Sequence, residues 1–344
     1  MRVYRLPHGT GFWSEEWPEH SALERLWRKF LLPFNQTQRS YFRSVLHQFQ
    51  PDLVHSHSMV DVATGVWADV ADAGYPIVHT LRDYDLLCAN GAMYHHGRPC
   101  GPICGLVSAA KKRHHKAVRA VAAISQRTLD IHTNRGLFSH VPASLRRVIW
   151  NSAPVEGIAI NYRRPSRSGP LSFGYLGRLS EEKGVGLLIQ AVKRLPLTPD
   201  WRLVIAGNAG ANVDVFRRAA QGMPIEFVGL VRPREFFECI DLLVVPSIWE
   251  EPFGRVVIEA YSMGVPVLGA DIGGIPEIIV GDRDQWLFPV GDEHALAARL
   301  IQFVASGREA LPSANVFSNR VADTAPAFIE ARYRRLYQAL LGPK

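Results

Sequence analysis

Two carboxylates eight residues apart, Glu251 and Glu259, lie in the run Trp249-Glu250-Glu251-Pro252-Phe253-Gly254-Arg255-Val256-Val257-Ile258-Glu259-Ala260, directly after the apolar stretch Asp241-Leu242-Leu243-Val244-Val245. Pro252 and Gly254 predict a helix N-terminus near Phe253, whose unpaired backbone N–H groups make an anion site. Glu251 is then in the loop before the helix, and Glu259 lies about a turn and a half into it by the 3.6-residue period. Ionised carboxylates accept hydrogen bonds from paired hydroxyls, so one could read a ribose while the other holds a sugar. The same residues would also serve as a helix-dipole partner and a solvated surface charge, and the segment alone leaves both readings open.

A second constellation is Phe173-Gly174-Tyr175-Leu176-Gly177-Arg178-Leu179-Ser180-Glu181-Glu182-Lys183-Gly184. It reads as a strand, a glycine turn carrying two cations five residues apart, and the start of a helix. Gly177 and Gly184 allow close approach of the backbone to a ligand, and Arg178 and Lys183 place positive charge at a strand's carboxyl end, as a diphosphate requires. An ordinary strand-to-helix turn with solvated charges is the alternative.

Other candidates sit in the first half. Cys88, Cys100 and Cys104 fall in one glycine-rich stretch with His95 and His96, and His114 follows. Three thiolates and a histidine could bind zinc, but eleven residues between the first two cysteines is not a standard spacing, so packed thiols are expected there. Cys239 reads as a core residue on a helix. The run Lys111-Lys112-Arg113-His114-His115-Lys116 reads either as a solvated helix face or as a contact for anionic lipid.

These residues need a scaffold, and the chain has the means to build one. Its 344 residues are 47% hydrophobic and 21% charged, enough for two domains with substantial cores and too apolar for intrinsic disorder. No run approaches the roughly 18 apolar residues of a membrane span, and the first residues lack a signal-peptide core, so a cytoplasmic protein is expected. Four cysteines in such a length suit a reducing compartment. The net charge of +7 lies wholly in residues 1–155, with 18 Lys/Arg against 11 Asp/Glu, while the remainder carries 21 of each. That asymmetry points to an anionic partner such as a peripheral membrane surface; no nucleic-acid-binding module accompanies it.

From about residue 50, short β-rich runs alternate with helical stretches, the pattern of parallel sheets in α/β domains. Strands are predicted at 52–55, 76–80, 118–124 and 147–150, then at 171–176, 202–206, 225–228, 241–245 and 265–268. Helices are predicted at 21–32, 36–48, 60–73, 108–117 and 125–135, and from near Gly184, Asn212, Pro233, Phe253 and Pro276. Residues 156–170 gather Arg, Ser, Gly and Pro and read as a linker. The expected fold is α/β, two Rossmann-like domains with ligands at the carboxyl ends of the strands, in a cleft.

With Ala206-Gly207-Asn208, Ile272-Gly273-Gly274-Ile275-Pro276-Glu277 and Leu287-Phe288-Pro289-Val290-Gly291-Asp292, the two constellations resemble the retaining glycosyltransferases of family 4, and the Glu-x7-Glu segment is the most specific element. The resemblance implies a GT-B fold. Its domains would be an acceptor-side domain at 1–155, a linker at 156–170, a donor domain at 171–322, and a C-terminal helix within 323–344 that crosses back to the first domain. It implies that Arg178 and Lys183 stabilise a leaving diphosphate, that Glu259 binds ribose, and that Glu251, with the backbone near Gly254, contacts the donor sugar. Gly177, Gly207, Phe253 and Arg255 would complete the donor site. Pro51 to His57, Ser125 and Ile149-Trp150-Asn151 resemble family landmarks of the first domain. There His79, Arg82 and Asp83 fall on the acceptor side, with Arg82 where the family often carries histidine. Met1 to Tyr4 reads as a later strand, so the first domain is expected to lack its usual first strand-helix-strand unit and to expose a strand edge.

The implied activity is metal-independent hexosyl transfer with retention, from a nucleotide-diphosphate sugar to a saccharide or lipid-linked hydroxyl, in cell-surface polysaccharide or glycolipid synthesis. No cofactor is expected. The Asp-x-Asp pairs at Asp83/Asp85 and Asp282/Asp284 match a metal-binding motif of the other large glycosyltransferase fold, but the two cations make a metal redundant. A sugar-nucleotide epimerase and a non-catalytic binding protein are the alternatives.

Overall fold

A computed structural model of the chain describes residues 3–7, 9, 13, 19–88, 91–95, 98–153, 169–198, 200–208 and 213–342. The chain divides into two compact units, one of residues 1–149 with 331–344 and the other of residues 150–330. The predicted linker lies almost wholly outside the described residues.

The first unit opens with helices α1 (Ala22–Leu31) and α2 (Gln36–Phe49). Ser21 caps α1 through a reciprocal capping box with Glu24, and Asn35 caps α2 by accepting from the Gln38 backbone N–H. The unit continues through β1 (Val54–His57), α3 (Val66–Asp72), β2 (Ile77–Leu81), the hairpin β3 (Tyr94–His95) and β4 (Arg98–Pro99), α4 (Pro102–Val107) and α5 (Ala109–Lys112). It ends with β5 (Ala120–Ala123), α6 (Gln126–Asn134) and β6 (Arg146–Val148). The four main strands are parallel in the order β1-β2-β5-β6. Every residue of β2 and β5 is buried, so neither strand alternates exposed and buried positions, and β2 carries even His79 and Thr80 inside. No strand precedes β1 among the described residues, and Val3 and Tyr4 are not in one.

The second unit alternates β7 (Leu171–Leu176), α7 (Val185–Val192), β8 (Trp201–Ala206), α8 (Val213–Ala219), β9 (Ile225–Gly229), α9 (Pro233–Glu238), β10 (Leu242–Val245), α10 (Arg255–Ser262) and β11 (Val267–Ala270). It closes with α11 (Ile275–Ile278), α12 (Arg283–Trp286), β12 (Leu287–Phe288), α13 (Glu293–Ser306), α14 (Ser318–Ala322) and the first turn of α15 (Pro326–Leu341). Six parallel strands run in the order β12-β11-β10-β7-β8-β9. The order reverses between β7 and β10, the switch point at which open α/β sheets bind ligands.

The remainder of α15 belongs to the first unit. Its Tyr337 hydroxyl lies 2.6 Å from His55 Nδ1 and its Tyr333 hydroxyl 3.0 Å from Thr80 Oγ1. Three expectations need correction. Helix α10 starts at Arg255 rather than Phe253, because Gly254, with φ of +85°, is its N-cap. Cys239 is exposed: it is the C-cap of α9, one step off the stripe in which Phe236, Phe237 and Ile240 are buried. The stretch 108–117 is no single helix but α5 and a separate 3-10 turn at His115–Ala117.

Candidate active site

A cavity of about 410 Å³ opens at the carboxyl ends of β7 and β10, lined by Gly177, Arg178, Lys183, Ser247, Glu251, Gly254, Arg255 and Glu259 among others. Every cation on its wall faces a carboxylate. Lys183 Nζ donates to Glu251 Oε2 at 2.5 Å, Arg255 Nε lies 2.7 Å from Glu259 Oε1, and Arg178, 68% exposed, lies 3.4 Å from Glu182. Glu251 is held further by Trp249 Nε1 at 3.1 Å and Ser247 Oγ at 3.4 Å, while Lys183 also sits over the Trp249 ring. Burial holds the Glu259 carboxyl above its usual range, and Arg255 draws it back down. The cations of this wall are therefore not bare, and any anion would have to compete with these carboxylates for them.

Two glycines make the loop paths possible. Gly273, at φ +61°, lies against the backbone of Glu250 and Glu251, and a Cβ there would collide with the Glu251 carbonyl. Its neighbour Gly274 donates its N–H to that same carbonyl at 2.7 Å, which fixes the Glu251 loop. Gly207, at φ +142°, lies against the Gly177 carbonyl with no room for a Cβ. Gly207 thus supports the Gly177 turn from behind and does not line the cavity. Phe253 is a correction of the same kind: its side chain is buried against Trp150, ring centroids 6.1 Å apart, and offers the cavity no atom. Trp249 and Ser247, which orient Glu251, were not singled out from sequence, although both adjoin the Glu-x7-Glu segment.

In the first unit, Asp83 follows β2. Its Oδ2 accepts from Ser58 Oγ at 2.5 Å and its Oδ1 from the Asp85 backbone N–H at 3.0 Å. Burial first, then repulsion from Asp85, pushes its carboxyl up to about 7, a value suited to proton exchange at neutral pH. Arg82 is exposed, and its charge, after burial, helps depress the His57 imidazole. His79 is not an accessible acceptor-side residue: it is 1% exposed, lies 2.9 Å from Ser56 Oγ and is stacked on Phe138, because its position in β2 points it into the core. Sequence reasoning passed over His55, whose ring bridges Thr80 and Tyr337.

The Asp-x-Asp pairs have structural duties. Asp85 is buried and paired with Lys111 at 3.1 Å, and Asp282 N-caps α12. Lys111 therefore leaves the solvated basic run. Arg28, Arg39 and Arg43 likewise turn to Asp61 and Asp69, so part of the excess positive charge ties α1 and α2 to the rest of the unit. Cys88, Cys100 and Cys104 come together, with Sγ atoms within 4.8 Å of one another.

The two parallel sheets, with a cavity at the switch point of the second, define an α/β protein. Comparison with known proteins takes this further. Residues 161–321 match the family of group 1 glycosyl transferases, and residues 3–156 match glycosyltransferase family 4. The chain belongs to these glycosyltransferases and has their GT-B fold. It is 27% identical over 285 residues to an uncharacterized 42.6 kDa protein in the cps region of Klebsiella pneumoniae, covering 81% of this chain and 73% of that one. It is 31% identical over 242 residues to a glycogen synthase of Mycobacterium tuberculosis, covering 68% of this chain but only 56% of the relative. Among solved structures, Anabaena HepE in complex with UDP and glucose superposes with a TM-score of 0.67 at 21% identity, covering 90% of this chain and 83% of that one.

Proposed function

We propose that this glycosyltransferase moves a hexosyl group, with retention, from a nucleoside diphosphate sugar to an acceptor hydroxyl in polysaccharide or lipopolysaccharide assembly. The observation that carries the reading is the set of three cation–carboxylate pairs around one cavity at the sheet's switch point. Arg178 and Lys183 are placed to take charge that grows on a departing diphosphate, so they act most strongly in the transition state. Glu259 reads the ribose hydroxyls and Glu251 the donor sugar. With no protein nucleophile assigned, the departing phosphate takes the acceptor's proton on the same face of the sugar, and the chemistry needs no metal. Asp83 orients the acceptor hydroxyl. The names of the relatives support a polysaccharide product, and the bound UDP of HepE supports a uridine nucleotide.

A thermal-shift panel of UDP, GDP, ADP and their sugars tests the donor site. A true ligand at 100 times its dissociation constant adds about 2.7 kcal/mol of stability. No shift with any of them, or a transfer rate that Mg²⁺ or Mn²⁺ restores after EDTA treatment, would overturn the donor-site reading or its metal independence respectively.

The first unit also meets a membrane in this proposal. Leu23, Trp27 and Phe30 of α1 and Leu106 of α4 are exposed and line an apolar groove, on the unit that holds all the excess positive charge. An exposed tryptophan in an apolar patch on a net basic unit suits an anionic headgroup layer. Sedimentation with anionic but not zwitterionic vesicles, reduced in Trp27→Ser, is the expected result.

A further inference from the structure

The three cysteines of the first unit come from three different segments. Cys88 lies in the loop after β2, Cys100 directly follows β4, and Cys104 is in α4. The backbone closes the long gap between the first two. Tyr84 N–H donates to Gly91 O at 3.0 Å and Gly91 N–H to Cys88 O at 2.8 Å, which turns the chain back. The β3–β4 hairpin then returns it, with Cys100 N–H donating to Met93 O at 2.9 Å. Cys88 Sγ is consequently 3.1 Å from Cys104 Sγ and 3.6 Å from Cys100 Sγ. A disulfide would need about 2.05 Å, whereas thiolates about 2.3 Å from one tetrahedral zinc stand about 3.8 Å apart. Cys100 and Cys104 also have the C-x3-C spacing common in zinc sites.

We infer that Cys88, Cys100 and Cys104 hold a zinc ion through three thiolates, with the fourth coordination position left to a water molecule or other exogenous ligand. Thiolates are soft donors, which suits zinc over magnesium, calcium or manganese. Three thiolates on Zn²⁺ leave one net negative charge, and the surroundings answer it: Lys29 interacts electrostatically with both Cys88 and Cys104, and Lys112 with Cys104. Among the described residues, no histidine or carboxylate joins the group, and His114 is placed with Arg39 and Asp69 instead. The ion would clip the loop that carries Asp83 and Asp85 to α4. Its ligands all belong to the first unit, and the cavity described above is lined by residues of the second.

The test uses the full chain without a polyhistidine tag. Elemental analysis after incubation with Zn²⁺ and desalting should find about one zinc per chain. Cys100→Ser and Cys104→Ser should lose it, and Cys239→Ser, an exposed site outside the cluster, should keep it. Co²⁺ substitution of the unaltered protein should give near-ultraviolet thiolate-to-metal charge-transfer bands, a readout that holds even if a variant fails to fold. Stripping the metal should speed hydrogen exchange in residues 84–104. Absence of bound zinc with all thiols titratable, a Cys88–Cys104 disulfide in the reduced-purified protein, or zinc retained by both variants would each overturn the assignment.

Discussion

Replacing Glu251 by Gln should tighten nucleoside diphosphate binding while slowing transfer. In the structure Lys183 is already engaged, 2.5 Å from Glu251, with the two side chains only 20% and 14% exposed. A diphosphate reaching Lys183 must compete with that carboxylate. The amide keeps the shape, and its oxygen can still accept from Trp249 Nε1 and from Lys183, but the charge is gone. Lys183 keeps its charge, so the bond that remains is still charge-assisted, but the ion-pair attraction is lost and the competing interaction weakens by about 1 kcal/mol. Isothermal titration with the diphosphate selected by thermal shift should therefore show binding tighter by about fivefold. Turnover should fall, because the same substitution weakens contact with the donor sugar. Unchanged or weaker diphosphate binding would refute the argument that Glu251 and the diphosphate compete for Lys183.

Gly273→Ala should destabilise the second unit by about 2 kcal/mol or more, since the new Cβ meets the Glu251 backbone at a positive φ; thermal unfolding checks it, and an unaltered midpoint would contradict it. Lys111→Met should cost about 3 kcal/mol in urea unfolding by leaving Asp85 buried without its cation, and Asp85→Leu in the same chain should recover most of the loss. Acidification should weaken the first unit. Burial depresses His55 and His79 to about 3 and His132 to about 4, so below about 6.5 the unfolded chain binds protons that the folded one refuses, and stability falls with pH. Asp83, pushed up to about 7, works in the opposite direction, because its folded form keeps a proton that the unfolded form loses above about 4. Three histidines outweigh one aspartate, so hydrogen exchange in β1, β2 and α6 should show lower stability at pH 5 than at pH 7.5; the reverse order would show that these groups titrate normally in the fold.

Local signals in the sequence carried most of the architecture. Strands such as Leu171–Leu176 and Leu242–Val245 are near-continuous apolar runs because both sheet faces are covered, and Ser21 with Glu24 announces the start of α1. The positions of the cavity's residues were legible too, since Arg178, Lys183 and Glu259 each sit at a fixed step from a strand end or helix start, but the segments alone fitted solvated charges as well and only the family resemblance chose between the readings. What stayed hidden depends on partners distant in sequence. Nothing near Lys111 tells that it turns inward to Asp85, 26 residues back, and nothing near Lys183 names Glu251, 68 residues on. His79 and Phe253 sit among functional-looking neighbours, but which side of a backbone faces the core is settled only by packing. The eleven-residue gap after Cys88 argued against a zinc spacing because a two-residue hairpin strand pair is too short to register as a pattern.

The division of α15 between the units bears on how the chain is made. His55 and Thr80 find Tyr337 and Tyr333 at 282 and 253 positions further along the chain. During synthesis, β1 and β2 emerge early but wait for these tyrosines until the entire second unit has left the ribosome. Contacts of such long sequence separation form late and slowly. The second unit can complete its six-stranded sheet while the first still lacks its closing helix. A stop codon after Glu330 would thus spare every strand of both sheets and yet yield a nascent first unit with its β1–β2 face open, the form on which chaperones and proteases would act.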